Sequence, residues 1–154
     1  MTSPQHFSWQ RLAQQAEGLL SVSSNQISNA ANLSALMYQE LPDVSWVGFY
    51  FLDDTKLLLG PFQGKPACVS IEMGKGVCGT AASTGETLRV ADVEAFDGHI
   101  ACDPQARSEV VVPLFKDGEL LGVLDIDSTS LARFTEKDEA GLKILAQVYL
   151  SSIT

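Results

Sequence analysis

Residues Ser108–Ser128 read SEVVVPLFKDGELLGVLDIDS, two apolar runs on either side of Lys116-Asp117-Gly118. Asp-Gly between β-branched runs marks a tight β-hairpin, because its two residues accept the positive φ that such a turn needs. The hairpin strands are Glu109–Phe115 and Leu120–Asp127. Side chains alternate along a strand, so Asp125 and Asp127 face the same way, and Glu109 opens the partner strand beside them.

Working outward, Thr135 followed by Asp138 forms a capping box for a last helix with Leu142, Leu145, Val148 and Tyr149 on its apolar face. Upstream of the hairpin, Ala91–Ser108 is a long connection holding Asp97-Gly98 and Asp103-Pro104, and loops of that length are often functional. Before it lie a short strand at Thr87–Val90, a small-residue helical turn near Thr80–Thr84, the glycine-rich Gly74–Gly79, and a strand at Ala67–Glu72. Ser45–Leu52 is aromatic and β-branched and turns at Asp53-Asp54 into Lys56–Phe62. Two helical patterns open the chain. The first runs from Pro4 to Leu20. The second follows the break at Ser21–Asn25, with Ile27, Ala30, Ala31, Leu36, Met37 and Leu41 as its apolar set, and ends at Pro42-Asp43. This order gives an α+β class: one domain over residues 1–154, with a mostly antiparallel central sheet. The N- and C-terminal helices pack on one face, and a loop-covered pocket lies on the other.

The 154 residues are 45% hydrophobic and 19% charged, which suits one globular domain with a real core. The formal net charge is -9, so a nucleic-acid duplex or an anionic membrane, both needing basic patches, is not an expected partner. No apolar run approaches the ~20 residues of a membrane span, and the polar start Met1-Thr-Ser-Pro-Gln does not read as a signal peptide. The expected compartment is cytoplasmic. There, an odd set of three cysteines points to thiol chemistry rather than to a disulfide scaffold.

The segments WVGFYFL, LGPFQGKPAC, GKGVCGTA, FDGHIACD, SEVVVPL and LGVLDIDS, in this order between about Trp46 and Asp138, resemble the free methionine-R-sulfoxide reductases of the GAF domain family. The resemblance implies a GAF fold and a thioredoxin-dependent oxidoreductase that reduces free L-methionine-R-sulfoxide to methionine. It implies Cys102 as nucleophile, Cys68 as resolving cysteine and Cys78 as an auxiliary or alternative resolving thiol. Glu109, Asp125 and Asp127 would hold the ligand and polarise the sulfoxide, and Trp46 and Tyr50 would line the apolar part of the pocket. The family also suggests a homodimer. No resident metal or cofactor is expected.

These residue types fit the chemistry. A thiolate takes the sulfoxide oxygen and becomes a sulfenic acid. A second thiol condenses with it to a disulfide, which an external dithiol reopens. The resolving assignment requires Cys68 and Cys102 to come within ~7 Å between Cα atoms when oxidised. Asp103-Pro104 reads as an N-cap and first helical residue, and a helical turn there would favour the Cys102 thiolate, although the Asp103 charge opposes it. Three carboxylates around one site cannot all ionise easily, so one is expected to stay protonated as an acid while the others bind the substrate ammonium.

From the residues alone, other readings stand beside these. Cys102 is also readable as a small buried residue, Cys68 as part of a strand, Trp46 and Tyr50 as core, and the acids as solvated strand ends. Gly74-Lys75-Gly76 lacks the spacing of a phosphate loop. His99 is a loop residue, and a zinc site of all three thiols would block the nucleophile. A ligand-sensing module without chemistry, or a thiol redox switch or peroxidase, are the competing functional classes.

Overall fold

The computed structural model describes residues 7–100 and 102–154. In chain order it contains helices α1 (Trp9–Leu20) and α2 (Gln26–Glu40), then strands β1 (Trp46–Asp53), β2 (Lys56–Gln63) and β3 (Ser70–Glu72). Helix α3 (Gly76–Thr84), strand β4 (Leu88–Val90), a 3-10 turn at Val93–Ala95, strands β5 (Ser108–Lys116) and β6 (Glu119–Ser128), and helix α4 (Glu136–Ser152) follow. The strands make one sheet in the order β3-β2-β1-β6-β5-β4, and every pairing is antiparallel.

The expected hairpin sits at the centre. Lys116 pairs with Glu119, and Asp117 and Gly118 have φ of 54° and 81°, the geometry a two-residue turn between twisted strands requires. Pro113 lacks an N–H yet costs the sheet nothing, because β4 pairs with β5 only over Glu109–Val111 and ends before it. With β1 on one side and β5 on the other, β6 is hydrogen-bonded along both edges.

Strand alternation divides the side chains into two layers. Val47 and Phe49 of β1, Val110, Val112 and Leu114 of β5, and Leu124 and Ile126 of β6 pack under α1, α2 and α4. Burying one such side chain fully contributes about 1.5–3 kcal/mol. Polar ties fix the helices to one another: Trp9 Nε1 donates to Asp138 Oδ1, and the Tyr149 hydroxyl donates to the Gln26 carbonyl. The opposite face carries Trp46, Tyr50, Val111 and Val123, covered by α3 through Val77, Cys78, Ala81 and Ala82. The terminal helices therefore share one face and the loops cover the other, as the sequence implies.

Several boundaries differ from expectation. Helix α1 starts at Trp9 because the Ser8 side chain accepts from the Arg11 N–H and caps it; Pro4 to His6 of the expected helix lie outside the described residues. In α2 the buried stripe is Ala30, Leu33, Met37 and the capping Leu41, whereas Ile27 is 55% exposed and Ala31 also faces solvent. The Asn25 cap sets the rotation of this helix, and the buried Asn29 fixes it further by donating to Ser23 O and Ser152 Oγ. The strand expected at Ala67–Glu72 is Ser70–Glu72 alone, leaving Cys68 on the loop before it. Helix α3 begins at Gly76 rather than near Thr80. The Thr135–Asp138 capping box forms as read. Among the described residues, no helix is long and apolar enough to cross a membrane.

Candidate active site

Register assembles the floor of the site. Asp127 pairs with Trp46 on one side and with Glu109 on the other, so these three form one row across β1, β6 and β5. The next row on the same face is Gly48, Asp125 and Val111, and Tyr50 and Val123 lie beyond it. Three carboxyl groups thus converge where α3 covers the sheet.

The environment of the two aspartates opposes ionisation. Asp125 is 4% exposed and Glu109 9%. Burial first, then the charges of Asp127 and Glu109, raise the Asp125 carboxyl well above the ordinary carboxylate range. Asp127 is raised as well, by burial and then by Glu109. The Oδ1 atoms of both aspartates are buried without a hydrogen-bond partner. Buried acceptors are normally paired, so these two atoms await a donor from a ligand.

Cys78 stands in the first turn of α3, 4% exposed, with its Sγ 3.8 Å from Glu109 Oε2. A helix N-terminus favours a thiolate, but burial and the charges of Asp125 and Glu109 push this thiol well above its usual pKa. Burial wins, and Cys78 is a neutral thiol.

Cys68 and Cys102 are joined in a disulfide with a Cα–Cα distance of 5.4 Å, linking the loop after β2 to the long connection before β5. At Asp103-Pro104 the chain makes one capped turn and does not continue into a helix. Asp103 Oδ1 accepts from the Gln105 N–H and Asp103 O from the Ala106 N–H, closing a single turn. The Arg107 N–H then donates to Ser128 O, so the sheet captures the chain before a helix can propagate.

Beneath the disulfide lies a cavity of about 60 Å³, the room of a few waters. Trp46, Tyr50, Cys78, Cys102, Glu109, Asp125 and Asp127 all line it, and Cys68 reaches it through the bond to Cys102. All eight residues singled out in the sequence are therefore brought together. Trp46 and Tyr50 stack with centroids 5.9 Å apart, and their polar ends do more than line a wall. Trp46 Nε1 donates to Lys65 O, and the Tyr50 hydroxyl donates to Cys68 O. The left-handed φ of Gly64 (127°) lets this loop fold down, and a Cβ there would strike the Trp46 ring and Ser45 O.

Lys65 and Lys75, which no motif in the sequence singles out, line the same cavity at exposed positions. Both lysines are exposed, and the Lys65 ammonium donates to Gln105 Oε1. The signal in GKPAC and GKG is the cation itself, because a ligand with a free carboxylate needs one beside the pocket.

The GAF domain family matches residues 13–149. The free methionine-R-sulfoxide reductase of Escherichia coli is 52% identical over 127 residues, 82% of this chain and 77% of that protein. The fRMsr of Staphylococcus aureus in its reduced form superposes with a TM-score of 0.94 at 45% identity, covering 100% of both chains. The free methionine-R-sulfoxide reductase of Neisseria meningitidis, solved in complex with its substrate, gives a TM-score of 0.91 at 40% identity over 98% of this chain and 95% of that one.

Proposed function

From the premise that the chain belongs to the GAF domain family, among its free methionine-R-sulfoxide reductases, we propose that it reduces free methionine-R-sulfoxide to methionine with its own thiols. The observation that carries the reading is the Cys68–Cys102 disulfide at the mouth of a pocket floored by Glu109, Asp125 and Asp127.

In this reading the substrate ammonium and the sulfoxide oxygen lie against the carboxyls, and the methyl and methylene groups lie against Trp46 and Tyr50. Lys65 and Lys75 face the substrate carboxylate, which accounts for a preference for the free amino acid. The Cys102 thiolate attacks sulfur, and a protonated carboxyl gives its proton to the oxygen. Methionine leaves and Cys102 becomes a sulfenic acid. The Cys68 thiol attacks that sulfenic sulfur, water departs, and the disulfide forms. Two thiols and one sulfoxide thus yield one disulfide, one methionine and one water. Cys78 serves as an auxiliary thiol. Thioredoxin as the external dithiol, a homodimeric assembly and a cytoplasmic site of action complete the proposal.

The test is NADPH consumption with thioredoxin, thioredoxin reductase and free methionine-R-sulfoxide, comparing wild type with Cys102→Ser. Turnover abolished in the variant, with the S epimer inert, supports the reaction and its nucleophile. A folded, reduced wild type that turns nothing over defeats the reading in favour of ligand sensing. Faster consumption with peroxide than with sulfoxide defeats it in favour of a peroxidase.

A further inference from the structure

Reduction of a sulfoxide by one nucleophilic and one resolving thiol does not require a third thiol among the carboxyls of the pocket. The Cys78 Sγ, a Glu109 carboxylate oxygen and an Asp125 carboxylate oxygen lie within 4.8 Å of one another. We propose that Cys78, Glu109 and Asp125 form a binding site for a thiophilic divalent cation of the zinc and cadmium type, and that an ion there closes the pocket to substrate.

The distances fit such an ion. With metal–sulfur and metal–oxygen bonds of about 2.3 and 2.0 Å, a tetrahedral site separates its sulfur and oxygen ligands by about 3.5 Å. Cys78 Sγ and Glu109 Oε2 stand 3.8 Å apart, so small rotamer adjustments bring both onto one ion. The second observation is independent of that spacing. Asp125 is 4% exposed and its Oδ1 has no hydrogen-bond partner, an acceptor held ready for a cation or a donor. Asp127, on the same face of β6, offers another buried and unpartnered oxygen, and water can fill what remains of the shell.

The donor set also selects the ion. A thiolate with two or three carboxylates suits zinc or cadmium better than magnesium or calcium, which take all-oxygen shells. On binding, the Cys78 S–H bond breaks, its proton leaves to solvent and a metal–sulfur bond forms, with no redox change. The site also survives oxidation, because Cys68 and Cys102 are consumed by their disulfide while Cys78 stays free. That separates it from a site built on all three thiols, which only the fully reduced chain could offer. The blocking clause rests on the reductase reading, in which the same carboxylates receive the substrate ammonium. The ion site itself does not.

The experiment titrates the full oxidised chain, with one free thiol confirmed after unfolding, with Cd²⁺ in chelator-free buffer. Calorimetry gives the stoichiometry, and ultraviolet thiolate-to-cadmium charge transfer reports sulfur ligation. One ion per chain with the charge-transfer band is expected. The band should vanish in Cys78→Ser, and affinity should fall at least tenfold in Glu109→Gln and Asp125→Asn, which retain the band. Circular dichroism checks each fold, and the two carboxamide variants suffice if Cys78→Ser is unstable. Binding without the band in wild type, or unchanged affinity in both carboxamide variants, overturns the site. In a Cys68→Ser/Cys102→Ser chain, which lacks the disulfide and keeps Cys78 as its one thiol, saturating free methionine should weaken Cd²⁺ binding, and indifference to it overturns the blocking clause. Turnover is not read in any arm, so a failed reductase assay leaves this outcome distinct.

Discussion

The Tyr50 hydroxyl donates to the carbonyl oxygen of Cys68 at 2.9 Å, tying a buried strand residue to the loop cysteine of the disulfide. One turn of loop earlier, Trp46 Nε1 donates to the Lys65 carbonyl at 3.1 Å. Two aromatic rings on one face of β1 thus fix the height of the loop above the carboxylates. Their apolar bodies fill the pocket wall while their polar ends hold a redox partner in reach of Cys102.

Tyr50→Phe keeps the ring and removes the tie. A neutral hydrogen bond of this kind contributes about 0.5–1.5 kcal/mol, so formation of the disulfide after sulfoxide reduction should slow by about twofold to twelvefold. A single-turnover experiment with quenched thiol counting and a sulfenic-acid trap measures it. Sulfenic acid should accumulate in the variant, with KM for the sulfoxide little changed. Unaltered kinetics of disulfide formation would mean that the loop holds its position without Tyr50.

The buried acids give stability a pH dependence of known sign. Asp125 and Asp127 have folded-state pKa values raised above those of the unfolded chain. The folded state therefore binds more protons, and their contribution is fully present below the unfolded carboxylate value of about 3.9 and is lost as pH rises through the raised values. Asp125→Asn removes one titrating group while keeping its shape. Urea unfolding of the oxidised form at pH 5 and pH 8 should show the variant gaining stability relative to wild type at the higher pH. Equal gains at both values would remove charge crowding as the cause.

The three thiols should separate by reactivity in the reduced chain. Cys78 is 4% exposed and its thiol is held neutral by burial beside Asp125 and Glu109. Cys68 and Cys102 lie on half-buried loop positions. Iodoacetamide at neutral pH should label Cys68 and Cys102 at least about a hundredfold faster than Cys78, because only an accessible thiolate reacts. Timed quenching with peptide mapping reads the three rates, and comparable labelling of Cys78 would show that α3 opens readily.

How much of this was legible in the sequence follows from the range of the interactions involved. The Asp117-Gly118 turn and the Thr135–Asp138 capping box are local, and the period of two along β6 places Asp125 and Asp127 on one face without knowledge of the rest. The same alternation brings Trp46 and Tyr50 together. At residues 103–107 the Asp-Pro start gives its cap and one turn but no helix, because the bond from the Arg107 N–H to Ser128 O is a long-range competitor. In α2, the exposed Ile27 followed from counting apolar residues, when the buried Asn29 and its bonds to Ser23 and Ser152 set the rotation of the helix. Lys65 and Lys75 belong to the site only through the loop geometry that Gly64, Trp46 and Tyr50 create.

The disulfide should stabilise the fold and close the pocket together. Cys68 and Cys102 are separated by 34 positions, and cross-linking a loop of that length removes unfolded-chain entropy equivalent to about 3–4 kcal/mol as an upper bound. The enclosed segment contains β3, α3, β4 and the first part of the long connection, so the bond restrains most of the cover of the pocket. With that cover tied down, the cavity has only about 60 Å³, so substrate is expected to bind the reduced state in preference. Reduction of wild type should therefore lower the unfolding midpoint in urea and speed hydrogen exchange over residues 91–107. Cys102→Ser, which cannot form the bond, should behave like reduced wild type in the presence and absence of reductant. Tight binding of free methionine should appear only in the reduced form. Equal methionine affinity in the oxidised and reduced forms would show that the loops open with the bond intact, and the disulfide would then record turnover without gating access.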